Sequence, residues 1–294
     1  MSSLVIESYN SAVEVKSEKD YIIEELRKPE NRKILERMIP SVNVKESSAS
    51  EVLPSISITE GDKFEVKEGY PNSEVKGKNL YYTDIASLAE YMLERERQEK
   101  GIYNLHSSTV GLEGRCIVIN GASKSGKTLL SLNAAEYYGL KFLTNERALI
   151  DLKSSSLVGG CKSLDLSEYH RKSFERLSKQ RDLELMEVSS SYPIAAIIQP
   201  VIDSGTDSFA TTLIAPREAE WSLYPEFTCR IRGDNKRLFG DSREYLTYPL
   251  DSFDTKELAR QRMGDLRTFL DKIPVYFIRG SLNDICSFIK GKLE

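Results

Sequence analysis

The chain has 294 residues, of which 40% are hydrophobic and 29% charged, and its formal net charge at pH 7 is −4. These values predict a globular protein of one large or two modest domains, and the charge does not favour bulk binding to nucleic acid or to an anionic membrane surface. The four widely spaced cysteines and the two histidines argue against a disulfide framework, a CxxC zinc site and a multi-histidine metal site.

The N-terminal region, residues 1–101, is predicted to be a small α+β unit without a recognisable site. Its first residues lack the basic and apolar segments of a secretory signal, and the chain has no apolar run near the roughly 18 residues that span a bilayer. We therefore expect a cytoplasmic protein without a membrane partner. The polar, Ser-rich segment 41–55 is predicted to be a linker.

Two local patterns in this region predict secondary structure. Alternating apolar and polar residues over 55–69, around a Glu-Gly-Asp turn, predict a β-hairpin. Apolar residues at helical spacing after Asp84 predict a helix that Asp84 caps and Gly101 ends.

Residues 102–294 have the pattern of an α/β domain with mixed rather than strictly alternating strands. In chain order, the predicted elements are two short strands around a glycine turn before residue 121, a helix over 128–138, strands over 141–144 and 148–152, a charged helix over 166–182, strands over 194–202 and 208–215, a helix over 254–273 with Asp254 as N-cap, and a final strand and helix over 274–280 and 282–293. The run 194–202 is continuously apolar and is predicted to be a buried strand.

The most specific motif in the chain is a complete match to G-x-x-x-x-G-K-[ST], between an apolar strand and a helix. We call it the GKT loop; it consists of Gly121, Ala122, Ser123, Lys124, Ser125, Gly126, Lys127 and Thr128. Loops of this kind direct backbone N–H groups at phosphate groups, with the lysine on the β- and γ-phosphates and the hydroxyl on Mg²⁺. The motif therefore predicts a nucleotide, ATP or GTP, together with Mg²⁺ as ligands.

The expected acidic partner of such a loop is not where an ordinary nucleotide hydrolase has it. The buried strand reaches Gln199 where an aspartate would hold the metal, and the strand directly after the loop helix ends in Asn145-Glu146. That order of elements is unusual among proteins with this loop.

From His106 to Asp151 the chain resembles the HPr kinase/phosphorylase family, whose members share a phosphoenolpyruvate-carboxykinase-like core. The family shows a histidine, a glycine turn, an apolar strand, a G-x-S-x-x-G-K-[ST] loop, a helix and a strand that ends in D-[DE]. Here the corresponding run is "LHSSTVGLEGRCIVINGASKSGKTLLSLNAAEYYGLKFLTNERALID". The resemblance covers about 45 residues strongly, the rest of the C-terminal two-thirds loosely, and residues 1–75 not at all.

The resemblance implies a loop core with a mixed sheet and flanking helices, and it implies roles for single residues. Lys127 and the loop bind the phosphates, Thr128 helps to hold Mg²⁺, and His106 lies near the transferring phosphoryl group. The two acidic positions of the family fall on Asn145 and Glu146. Asn145 can hold Mg²⁺ through its carbonyl oxygen but cannot take a proton, whereas Glu146 can do either. The family also leaves a homo-oligomer open, because its members often form oligomers.

Three arginines are weaker candidates for contact with phosphate or with an anionic substrate. Arg279 ends the last strand, and Arg230 and Arg232 follow one another in "CRIRGDNKR". In a chain with 41 lysines and arginines most such residues only face solvent, and Arg279 is the best of the three.

Two functions of different class follow from these features. The first is an ATP- and Mg²⁺-dependent kinase that transfers the γ-phosphoryl group to a hydroxyl acceptor, either a serine of a peptide or protein or a small molecule. The alternative is a nucleotide-binding regulatory protein with weak or no phosphotransfer, which Asn145 favours. A partner-coupled ATPase is disfavoured, since neither a conventional metal-binding strand nor an arginine finger is recognisable.

Overall fold

The computed structural model describes residues 1–47, 52–62, 65–67, 69–78, 80–161, 190–203, 205, 208–232 and 252–294. The chain forms two compact units, one of Met1–Gly101 with Phe227–Arg262 and one of Ile102–Glu226 with Met263–Glu294. The sequence predicts a single boundary, after residue 101. It does not predict that residues 227–262 group with the N-terminal region. The predicted charged helix over 166–182 lies outside the described residues.

The first unit is a mixed sheet of six strands covered by helices. In chain order its elements are β1 (Ser2–Ser8), β2 (Ser11–Ser17), α1 (Asp20–Arg27), a 3₁₀ turn (Pro29–Asn31), α2 (Arg32–Met38), β3 (Val42–Glu46), β4 (Ser55–Thr59), β5 (Glu65–Lys67), β6 (Asn72–Lys76) and α3 (Tyr82–Glu99). The strand order is β3-β1-β2-β4-β6-β5. Alternating residues such as Leu4, Ile6, Val13 and Val15 bury one face of this sheet in a core that also contains Ile85 of α3.

Two expectations for the first unit are corrected. The predicted linker 41–55 contains β3 and the first residue of β4, because Val42 is buried and the strand pairs with β1. The predicted hairpin over 55–69 is wrong: β4 and β5 both pair with β6, which lies between them. Strand β5 has one apolar residue between two charged ones, so it suits the edge of the sheet.

Both predicted aspartate caps are wrong. Helix α3 begins at Tyr82, and Asp84 is buried in its first turn. The late helix begins at Lys256, where the Leu258 amide donates to the Thr255 hydroxyl over 3.2 Å. Asp254 instead accepts hydrogen bonds from Arg262 at 2.6 Å and from Arg232 at 2.8 Å. Hydrogen bonds between two charged groups are stronger than the bond of a carboxylate to a neutral backbone amide at a helix start.

Helix α3 carries a buried ion cluster. The Arg97 guanidinium is fully buried and donates to Glu90 at 2.7 Å, to Glu94 at 2.8 Å and to the Ser8 hydroxyl at 2.6 Å. The Gln98 side chain donates to the other Glu94 oxygen at 2.7 Å. Because the two carboxylates raise the pKa of Arg97 against the opposing effect of burial, the guanidinium stays charged in the core.

The second unit contains a mixed sheet of nine strands with helices. Its elements are β7 (Ile102–Leu105), β8 (Ser107–Leu112), β9 (Arg115–Asn120), α4 (Lys127–Tyr138), β10 (Lys141–Thr144), β11 (Ala148–Asp151), β12 (Ser156–Gly160), β13 (Tyr192–Ile202), β14 (Ala210–Leu213), α5 (Pro216–Thr228), α6 (Lys256–Leu270), β15 (Val275–Gly280) and α7 (Leu282–Leu293). Of α5 only the part up to Glu226 belongs to this unit, and of α6 only the part from Met263. The predicted α/β class with mixed strands is confirmed.

The sheet brings the ends of three parallel strands to one edge. Strand β13 lies between β9 and β15 and is parallel to both, and β8 is joined to β9 by an antiparallel hairpin. The hairpin turn, Glu113-Gly114, has φ angles of 50° and 81°, as a two-residue turn of this kind requires. The GKT loop leaves β9 at the carboxyl edge of the parallel strands, where α/β sheets bind their ligands.

Within the described parts of the chain, no helix combines the length and the apolar character needed to cross a membrane.

The buried cluster on α3 generates a stability prediction. Replacing Arg97 by Met leaves two buried carboxylates without their guanidinium, so we expect the free energy of unfolding to fall by about 3–5 kcal/mol. The matched control is Arg27→Met, which breaks the exposed Arg27–Glu46 pair at 2.8 Å and should cost about 1 kcal/mol or less. Urea denaturation followed by circular dichroism measures both values, and equal losses in the two variants would contradict the account.

Candidate active site

The GKT loop has a backbone that only particular residues permit. Gly126, which precedes α4, has a φ of +86°, and a Cβ atom there would lie 2.6 Å from Cδ1 of Ile202 at the end of β13. Lys124 also has a positive φ, of 65°, and the Ser125 amide donates to the Ala122 carbonyl over 3.2 Å. The loop therefore packs against the end of β13. This contact positions the first turn of α4 at the carboxyl ends of the parallel strands.

Lys127 lies at the centre of the candidate site. Its side chain is buried, and Nζ donates to the carbonyl oxygens of Gly121 at 2.8 Å and Ala122 at 2.9 Å. A third contact joins Nζ to Nε2 of His106 at 3.2 Å. Burial lowers the pKa of Lys127, while the carboxylates of Glu146 and Glu226 act in the opposite direction.

These contacts fix the proton on the imidazole of His106. An ammonium group can only donate, so Nε2 accepts from Lys127 and the ring proton lies on Nδ1. Nδ1 then donates to the backbone carbonyl of Glu146 over 2.9 Å, and the Glu146 carboxylate lies 3.8 Å from the same nitrogen. Because the ring is neutral in this arrangement, a cation and an uncharged base lie side by side beside the loop.

Asn145 and Thr128 meet at a cluster of oxygen atoms. Oδ1 of Asn145 accepts from the Thr128 hydroxyl at 2.9 Å and from the Ser108 hydroxyl at 3.2 Å, and Asn145 is 1% exposed. Strand β10 thus brings the residue that directly follows it against the first turn of α4. The cluster offers hard oxygen atoms, which are the donors that Mg²⁺ prefers.

Glu146 occupies a strained turn directly after β10. The Arg147 amide donates to the Asn145 carbonyl over 2.7 Å, which closes a three-residue γ-turn, and Glu146 has a φ of 63°. Cys161 holds both sides of this turn, since its carbonyl accepts from the Asn145 amide at 2.8 Å and its amide donates to the Arg147 carbonyl at 2.9 Å. Strain of this kind persists only where surrounding contacts enforce it, and it is found most often at functional sites.

Four polar residues that the sequence analysis did not assign to the site extend it along the sheet edge. Nε2 of Gln199 lies 3.5 Å from Oδ1 of Asn120 and donates to the Ser222 hydroxyl of α5 at 3.1 Å. The side-chain amide of Asn120 in turn donates to the backbone carbonyl of His106 over 3.2 Å. Glu226 lies one helical turn after Ser222. Together with Glu146 it is one of the two carboxylates that raise the pKa of Lys127 against the effect of burial. No local pattern distinguishes these residues, because they meet only through the packing of α5 on the sheet.

Two of the predicted arginines form ion pairs with aspartates. Arg279 lies at the end of β15 in register with Val201, and its guanidinium pairs with Asp203 at 2.6 Å. Arg230 and Arg232 belong to the first unit, where Arg232 pairs with Asp254. His106, Lys127, Thr128, Asn145 and Glu146 are the predicted residues that come together.

Comparison with known proteins adds little to this geometry. No protein-family model matches the chain, and a search of curated proteins finds no match either. A solved structure of the HPr(Ser) kinase/phosphatase from Coxiella burnetii aligns with 65% of this chain and 93% of its own, at 11% identity and a TM-score of 0.25.

The strained turn at Glu146 generates a prediction at Gly160. A Cβ atom at Gly160 would lie 2.7 Å from the Arg147 carbonyl and would also collide with the Thr144 side chain. We expect Gly160→Ala to displace the turn and to destabilise the protein by about 1–3 kcal/mol, the usual cost of overpacking. The control Gly291→Ala lies in α7 with nothing near its Cβ position, and it should stabilise the helix by about 0.5–1 kcal/mol. Thermal unfolding tests both; a neutral Gly160→Ala would show that the turn does not depend on Gly160.

Proposed function

We propose that the protein is an ATP- and Mg²⁺-dependent phosphotransferase that transfers the γ-phosphoryl group to a hydroxyl acceptor, with a phosphate-loop core related to the HPr kinase/phosphorylase family. The observation that carries the proposal is the contact set around Lys127, in which a complete G-x-x-x-x-G-K-T loop meets His106 and the Asn145-Glu146 turn. A loop that served only as a helix start would not require a buried lysine, a neutral histidine and a strained glutamate at one place.

Lys127 and the first turn of α4 suit the phosphate groups. The lysine ammonium and the backbone N–H groups after Gly126 supply positive charge where the γ-phosphoryl group gains negative charge during transfer. In the structure Nζ of Lys127 donates to two loop carbonyls and to Nε2 of His106. A bound polyphosphate replaces these neutral acceptors by anionic ones, which are stronger partners for an ammonium.

The oxygen cluster beside Thr128 fits Mg²⁺. The described residues contain no group of three His, Cys, Asp or Glu side chains that would hold a metal ion by themselves. Mg²⁺ does not need such a cage, because it usually takes one or two protein ligands together with substrate phosphates and water. Thr128, Asn145 and Glu146 are the residues that would hold it. When bound, Mg²⁺ neutralises charge on the β- and γ-phosphates.

Glu146 and His106 provide the means to handle a proton. Glu146 is partly exposed on its turn, and its carboxylate is next to the Nδ1–H of His106. The carboxylate can accept a proton or hold the metal, whereas the neutral imidazole keeps Lys127 and Glu146 at fixed positions. The acceptor class is a hydroxyl of a peptide, a protein or a small molecule.

The alternative, a nucleotide-binding regulatory protein with little or no transfer, is favoured by one observation. Asn145 occupies the first of the two acidic positions in the family pattern, and it is buried between two hydroxyl donors. An amide there supports ligand binding but removes one carboxylate from the catalytic set.

A labelled-phosphate assay tests the proposed activity. Wild-type protein incubated with [γ-³²P]ATP, Mg²⁺ and a panel of serine peptides and small alcohols should transfer label to at least one acceptor. Lys127→Ala and Glu146→Gln should each lower the rate by about 10²-fold or more, since each removes a group that acts on the transferred phosphoryl or its proton. The kinase proposal would be contradicted if the wild type binds ATP tightly but turns over no acceptor of the panel faster than Glu146→Gln does.

The variant Asn145→Asp separates the two functions. For a kinase we expect substantial wild-type turnover, and the variant should need less Mg²⁺ for half-maximal rate because a carboxylate binds this ion more strongly than an amide. For a regulatory protein, turnover should be near background in the wild type and appear only in the variant. A titration of initial rate against Mg²⁺ for both proteins distinguishes these outcomes.

A further inference from the structure

Helix α5 places a second carboxylate at the candidate site. The family resemblance suggests one acidic residue near the loop, Glu146, because Asn145 takes the place of its acidic neighbour. Glu226 lies about 80 positions further along the chain, on a helix of the same unit. Neither the GKT motif nor the family resemblance contains it.

The position of Glu226 follows from a chain of contacts that begins at the loop. Asn120 is the last residue before Gly121, Nε2 of Gln199 lies 3.5 Å from its side chain, and the same nitrogen donates to Ser222 at 3.1 Å. Ser222 therefore faces the sheet edge from which the GKT loop starts. Residues four apart on a helix share a face, so Glu226 lies on that side of α5, one turn beyond Ser222.

Helix α5 has a glutamate one turn before Ser222 and another one turn after it. Glu218 precedes Ser222 by four residues and Glu226 follows it by four, so the two glutamates lie on either side of the Gln199 contact. Of these two, Glu226 is the one whose carboxylate raises the pKa of Lys127 against the effect of burial. This contribution favours the Glu226 end of α5 as the end nearer to the GKT loop.

Gln199 adds an acceptor to the same place. Its Nε2 contacts Asn120 and Ser222, while Oε1 has no partner among the described residues. In some phosphate-loop hydrolases a glutamine orients the attacking water through hydrogen bonds. The carboxamide oxygen suits a hydroxyl hydrogen, which is the feature shared by all acceptors in the proposed class.

We propose that the acceptor hydroxyl binds between Gln199 and Glu226, and that Glu226 is the catalytic base that receives its proton. This inference rests on the proposed phosphotransferase function. The two glutamates then have different roles. Glu146, with Asn145 and Thr128, would hold Mg²⁺, and Glu226 would accept the proton of the acceptor hydroxyl.

The transfer step balances with these groups. The O–H bond of the acceptor breaks and its proton passes to the Glu226 carboxylate, while the oxygen electron pair forms the new bond to the γ-phosphorus. The bond from the γ-phosphorus to the bridging oxygen breaks, and its electron pair remains on the β-phosphate of ADP, beside Lys127. The products are the phosphorylated acceptor, ADP and a protonated Glu226, with total charge unchanged.

The test compares two glutamates on one helix. Wild type, Glu226→Gln and the control Glu218→Gln are assayed with [γ-³²P]ATP and Mg²⁺ for phosphate release to water and for transfer to the best acceptor of the panel. We expect Glu226→Gln to lower kcat by about 10²-fold with a KM for ATP that falls rather than rises, and Glu218→Gln to stay within about twofold of wild type in both constants. Formate should restore part of the rate in Glu226→Ala, because a small carboxylate can replace the missing base.

The outcomes separate this inference from the proposed function. Wild-type turnover that Glu226→Gln retains would overturn the role of Glu226 and leave the phosphotransferase intact. No hydrolysis or transfer by wild type would overturn the phosphotransferase and, with it, the base. In that case calorimetry with Mg·ATP still tests the placement: Glu226→Gln should tighten Kd about threefold or more relative to Glu218→Gln, because a negative charge beside the phosphates is lost. Equal Kd values would overturn the placement too.

Discussion

The candidate site depends on one buried ammonium group. Lys127 is held by two carbonyl oxygens of its own loop and by Nε2 of His106, and each contact constrains a different part of the second unit. The bonds from Nζ to the two carbonyls hold the GKT loop in its conformation. The imidazole of His106 connects Lys127 to the backbone of Glu146, because its Nδ1 donates to the Glu146 carbonyl. Because burial lowers the pKa of Lys127, the group gains most from a ligand that supplies negative charge. A polyphosphate is such a ligand.

Around this group the structure combines a rigid sheet edge with a strained turn. Parallel strands β9, β13 and β15 end together, so the residues that follow them share one edge of the unit. The γ-turn at Glu146 is enforced by Cys161 on both sides and by the small size of Gly160. The strained residue of this turn is the one whose carboxylate lies beside His106, and backbone strain that surrounding contacts enforce is found most often at functional sites.

Much of the second unit follows from local sequence patterns. The GKT motif, the strand before it, the helix after it and the strand that ends at Thr144 were predictable, because Gly126, the apolar run of β9 and the spacing of α4 act over short distances. The grouping of His106 with Asn145-Glu146 came only from the family resemblance. Gln199, Ser222 and Glu226 were not predictable, since a polar residue on a strand end or helix face gains meaning only from its neighbours in space. The same reason explains the errors in the first unit: β6 separates β4 from β5, and Asp254 pairs with Arg262 instead of capping a helix.

The central claim is that the GKT loop and the Asn145-Glu146 turn bind ATP together with Mg²⁺. Isothermal titration of ATP into wild type and Lys127→Ala, once with Mg²⁺ and once with EDTA, tests this claim most directly. The account predicts saturable 1:1 binding that weakens by about tenfold or more without Mg²⁺ and is lost in Lys127→Ala. Binding that is equally tight in all four titrations, or no binding by wild type with Mg²⁺, would contradict it.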